Sequence, residues 1–92
     1  MHEYEILLIE NYIEYNCQMP DVHERIEFEK VSHKRWAAEQ IIQILLDFPT
    51  SDPELLVLEF AATMRAVSAR QDHSAFIFQC AAEAAEEILE LL

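Results

Sequence analysis

Four histidines, two cysteines and eighteen carboxylates are the side chains of this 92-residue chain with the means to do chemistry. Metal binding is the first chemistry to test. A di-iron bundle site needs Glu-x-x-His on two helices, and no histidine here has Asp or Glu three residues before it. His23 and Glu27 stand at i, i+4, but no second motif completes a coordination sphere around them. His2, His23 and His33 read more simply as solvated side chains, and no metal or cofactor is expected. His73 and Cys80, seven positions apart, would share one face of a helix and could form a thiolate–imidazole pair. Cys80 is flanked by alanines, however, and a small buried cysteine in a packing zone is the commoner arrangement. The string Asp72, His73, Ser74 contains three triad residue types, yet contiguous residues cannot form a through-space relay. It reads as a cap followed by a helix start.

Glu83, Glu86, Glu87 and Glu90 form the most unusual cluster. Like charges at i, i+3 and i+4 on a helix repel by a few tenths of a kcal/mol per pair. Three of the four also fall in the last turns, where the negative end of the macrodipole disfavours carboxylates. No lysine on the same stretch relieves them. The cluster is either a docking face for a basic partner, a mimic of a phosphate backbone, or an ordinary solvated face that keeps a greasy helix soluble. Lys30, Lys34 and Arg35 beside Trp36 make the one basic cluster, and surface pairing with Glu39 or with the N-terminal acids is expected of it. Trp36 fits an interface anchor or a core residue equally.

The elements that position these groups follow from punctuation and periodicity. Glycine is absent, although average usage of about 7% predicts roughly six. Phosphate-cradling loops, dinucleotide fingerprints, EF-hand loops and nucleophile elbows are thereby excluded, since each needs glycine where backbone approaches closely or φ turns positive. Pro20, Pro49 and Pro53 interrupt the apolar pattern. Residues 3–18 carry two apolar stripes: Tyr4, Leu8, Tyr12, Tyr15 and Met19 on one, Ile6, Ile9, Ile13 and Cys17 on the other. Such a helix wants two neighbours. Residues 21–32 are ambiguous, because Asp21 with Glu24 resembles a capping box while Ile26 and Phe28 alternate like a strand. Residues 33–48 read as a helix capped by Ser32 and ended by Pro49. Asp52, Pro53 and Glu54 mark the start of a third helix over 53–70. Asp72 offers a cap for a fourth over 73–92, with Ile77, Phe78, Ala81, Ala85, Ile88 and Leu92 on its apolar face. The expectation is a single all-α domain, a four-helix bundle or an orthogonal helical array.

Charge and apolar area bound the function. Eighteen acids against six bases give a net charge of −12, which disfavours direct binding to nucleic acid or to anionic lipid. The charge is uneven: −6 over residues 1–30, 0 over 31–50, −2 over 51–72 and −4 over 73–92. The unpaired cysteine spacing and the short apolar run Ile6–Ile9 predict no export signal and no membrane span, hence a reduced, cytoplasmic setting. Ile42, Leu46, Leu55 and Leu58 fall outside the main stripes, so the chain holds more apolar surface than one small core can cover. A homodimer is the simplest expected cover, the alternative being that residues 21–32 fold over the surplus. The leading reading is a non-catalytic protein–protein interaction module, an adaptor or regulator, with Tyr4, Leu8, Tyr12, Trp36, Glu83, Glu86, Glu87 and Glu90 as partner-binding candidates. The alternatives are an acidic decoy for a nucleic-acid-binding protein and, third, a small metal-binding or cysteine-dependent enzyme.

Overall fold

In the computed structural model, which describes residues 1–70 and 73–92, the chain folds into four helices: α1 (Glu3–Asn16), α2 (Arg25–Asp47), α3 (Pro53–Ser68) and α4 (Ala75–Leu91). No strand occurs among the described residues. The all-α four-helix bundle read from periodicity is the fold observed. Helix α4 is its axis, packing extensively against α3 and α2, whereas α1 lies mainly on α2 and touches α4 more lightly.

Local chemistry explains the elements. Asp52 caps α3 by accepting the Glu54 backbone N–H at 2.9 Å. Pro53 at the first helical position supplies the right φ without wasting a donor, and Glu54 faces the positive end of the dipole. Arg65 in the last turn complements the other end. The observed ends of α1, α3 and α4 lie within two residues of those expected, the ordinary range for fraying termini. The expected Asp72 cap lies outside the described residues.

The second helix corrects the sequence reading. It begins at Arg25, not at residue 33, so most of the ambiguous segment is helical and Ser32 sits inside the helix instead of capping it. Asp21 does act before the helix, but through a tight local turn: its Oδ1 accepts the His23 N–H at 3.1 Å and its carbonyl accepts the Glu24 N–H at 2.9 Å. Once the middle of α2 is anchored, each further residue toward the N-terminus adds a backbone hydrogen bond without a new nucleation cost. Arg25 paired with Glu29 at i, i+4 supports that extension. The alternation of Ile26 and Phe28 carries no structural weight, since Ile26 is exposed and Phe28 only half-buried.

The core is built from small and branched side chains. Ala81, Ala84 and Ala85 of α4 meet Ala37, Ala38, Ile41 and Leu45 of α2 and Val57 and Ala61 of α3, with Ile88 among the largest fully buried side chains. Alanines on facing helices let the axes approach closely, which compensates for their small individual apolar area. No polar or charged residue is buried among those described, and no buried side-chain polar atom lacks a partner. The radius of gyration, 13.1 Å, slightly exceeds the roughly 12 Å expected for this length. The excess reflects an elongated shape of 41 × 29 × 20 Å set by the 23-residue α2.

Candidate interaction surface

Two neighbouring regions hold the residues of interest: a polar joint where α1, α2 and α4 meet, and an apolar end formed by α2, α3 and the start of α1.

The joint centres on Glu87. Tyr12 of α1, itself buried, donates its hydroxyl to Glu87 Oε1 at 2.5 Å, and Lys34 of α2 donates to Oε2 at 2.9 Å. Lys34 also lies 3.9 Å from Glu83. Burial opposes ionisation of Glu87, but the hydrogen bonds from Tyr12 and Lys34 and the nearby lysine charge outweigh it and hold the carboxyl below its ordinary range. Burial, reinforced by the carboxylate it faces, pushes the Tyr12 phenol far up. At the adjacent position on α4, Arg65 grips Glu86 with two hydrogen bonds of 3.0 and 2.6 Å, which lowers the Glu86 carboxyl in turn.

The glutamate cluster is therefore not unrelieved. The sequence shows no base on α4 itself, but the fold brings Lys34 and Arg65 to it from two other helices. Glu86 and Glu87 serve bundle assembly in this arrangement, while Glu90 stays exposed. Arg35 pairs with Glu39 at 3.1 Å as expected of the basic cluster.

The two stripes of α1 have different fates. Ile9 and Cys17 are buried and Ile6 and Ile13 are half-buried against the core, so the isoleucine stripe is the packing face. The tyrosine stripe divides: Tyr12 is 3% exposed, Leu8 is half-buried, and Tyr4 and Tyr15 are about 70% exposed. Tyr4 and Leu8 line a shallow cleft of about 270 Å³ with Pro53 at the head of α3 and Leu92 at the end of α4. Trp36 is 42% exposed on α2.

On the other side of Asp52 lies a larger groove of about 700 Å³ between α2 and α3. Its apolar walls are Ile44 and Phe48 from the end of α2 and Leu55, Leu56 and Phe60 from α3. Asp52 and Glu59 also line it, both from the α3 side. Helices α2 and α3 each pack closely on α4 but only sparsely on one another, which leaves this gap. His2 of the incoming chain donates from Nε2 to the Phe48 carbonyl at 3.1 Å and fixes the turn that closes one end. Periodicity alone did not find the groove, although it marked Leu55 as surplus. A second available signal is charge: from Trp36 to Met64 the sequence has five carboxylates and not one Lys, Arg or His.

The apolar surplus is real. Fourteen large apolar side chains are exposed among the described residues, including Leu46, Phe48, Leu55 and Leu58. Residues 21–32 do not cover them, and contribute exposed Val22 and Ile26 of their own. Chemistry at the thiols finds no support: Cys17 and Cys80 are buried, and burial pushes both thiols up, away from the reactive thiolate. Among the described residues no group of three or more His, Cys, Asp or Glu side chains converges to hold a metal ion. No helix formed by those residues is long and apolar enough to cross a membrane. Compared with known proteins, the chain matches no family model, no curated protein and no solved structure.

Proposed function

We propose that this chain is a non-catalytic protein–protein interaction module, an adaptor or regulator that works in the cytoplasm by offering an apolar surface to another polypeptide. The observation that carries the reading is the open α2–α3 groove together with the exposed leucines beside it. Contiguous apolar surface of this kind is costly to keep in water and marks association sites. Self-association as a two-fold homodimer would cover part of the same surplus. The decoy reading has weaker support, because Glu86 and Glu87 already engage Arg65 and Lys34 within the chain and are not free to imitate a phosphate row.

Affinity capture from native lysate, with the wild-type chain and a Leu55→Asp, Leu58→Asp double variant as parallel baits, tests the module reading. The expected result is a protein retained in stoichiometric amount by the wild type and lost by the variant, at both low and high salt. Identical capture by both baits, with the wild-type chain a lone monomer by light scattering, would overturn it. Capture that disappears steeply between about 50 and 200 mM salt and ignores the leucines would instead favour the decoy.

A further inference from the structure

The groove differs from an ordinary exposed patch in its electrostatics. Both of its walls belong to the stretch from Trp36 to Met64, which carries Glu39, Asp47, Asp52, Glu54 and Glu59 and no basic residue. Glu39 is held by Arg35. The other four carboxylates form no ion pair with a cation among the described residues; Asp47 accepts only from Gln43 and Asp52 caps its own helix. The flanking cations are occupied elsewhere: Arg65 by Glu86, Lys34 by Glu83 and Glu87. The apolar trough thus carries two lining carboxylates, Asp52 and Glu59, both on its α3 side, that form no ion pair with a cation among the described residues.

The dimensions suit a helix. Along α3 the walls extend from Leu55 to Thr63, eight residue steps and so about 12 Å of axis, or a little over two turns. A guest helix of that contact length presents two or three apolar anchors at i, i+3 or i+4 and i+7, the spacing by which amphipathic helices enter grooves. Its flank on the α3 side would lie against Asp52 and Glu59.

We infer that the α2–α3 groove receives an amphipathic helix of a partner protein whose apolar face is bordered by lysine or arginine. The inference rests on the interaction-module reading and names its partner class. Charge complementarity selects this occupant over a second copy of the chain. A copy carries −12 overall, so it brings mostly like charge to these carboxylates.

The test uses the full chain and two fluorescein-labelled helical peptides of about five turns with the same leucine face, one flanked by lysines and one by glutamates. Fluorescence anisotropy at about 50 mM salt should show the lysine peptide binding about tenfold tighter, with the gap narrowing near 300 mM as Asp52 and Glu59 are screened. Leu55→Ser should weaken the lysine peptide several-fold, Glu59→Lys should move the preference toward the glutamate peptide, and Ile26→Gln, exposed at the end of α2 opposite the groove, should change neither. Equal affinity for both peptides overturns the inference. So does lysine-peptide binding that ignores Leu55→Ser and Glu59→Lys, since the contact is then a diffuse one on other acidic faces. Loss of peptide binding as the chain is concentrated into dimers would assign the groove to a second copy and also overturn it. If the peptides fail while leucine-dependent capture from lysate persists, the cationic-helix assignment falls and the module reading stands; if both fail, both fall.

Discussion

Helix α4 hides Ala81, Ala84, Ala85 and Ile88 completely, whereas Leu46 on α2, Phe48 in the turn after it and Leu55 and Leu58 on α3 stay at least half exposed. Both sets of side chains are apolar, with opposite outcomes. What separates them is side-chain size at the helix contacts. Small residues on α4 let α2 and α3 come close on either side. That closeness to α4 leaves α2 and α3 splayed from each other at the far side, where large residues line the opening. Buried and exposed apolar side chains thus fall on different surfaces of the same short chain.

Substitutions can break this contrast, and the largest effect is expected at Ile88. Ile88→Ala should cost about 3 kcal/mol by urea denaturation, since it opens a cavity at a fully buried site on the axial helix. A loss below about 1 kcal/mol would mean that the α4 seam is loosely packed. Ala84→Leu tests the same seam from the other direction: overpacking where helices approach should cost about 1–3 kcal/mol, and a neutral result would refute close approach as the organising feature. Tyr12→Phe removes the hydroxyl that joins α1 to Glu87 and should cost about 1 kcal/mol.

A smaller and pH-dependent effect belongs to Glu87. Its carboxyl is held below its ordinary range in the fold, so its contribution is fully present above the unfolded value near 4.3 and fades as pH falls through the depressed folded value. Glu87→Gln should therefore be less stable than wild type at neutral pH, by less than about 1 kcal/mol because the side chain is half exposed to screening solvent. The difference should shrink once pH falls below the unfolded value and close only below the depressed folded value. A gap that widens on acidification would reverse the sign and exclude the proposed pairing. Smallest of all, Leu58→Gln should change stability by no more than about 0.5 kcal/mol. A cost resembling that of Ile88→Ala would show this leucine to be part of the interior.

Local chemistry made α3 readable in advance, because Asp52, Pro53 and Glu54 act through bonds and dipoles within a single turn. The apolar face of α4 was readable for a similar reason, its period being unbroken. The start of α2 was not, since Ile26 and Phe28 suit two periods and the helix is settled by packing further along. Relief of the α4 glutamates was also hidden: Lys34 and Arg65 are distant in sequence and meet that helix only after assembly. Excess leucines outside the stripes announced that a surface exists, while its placement depended on how far two helices diverge.

The two buried thiols are placed like a pair of internal clocks. Cys17 closes the C-terminal end of the lightly attached α1, and Cys80 lies within the axial α4. An alkylating reagent can reach either one only when its surroundings open, so the two modification rates compare opening at the end of α1 with opening around the middle of α4.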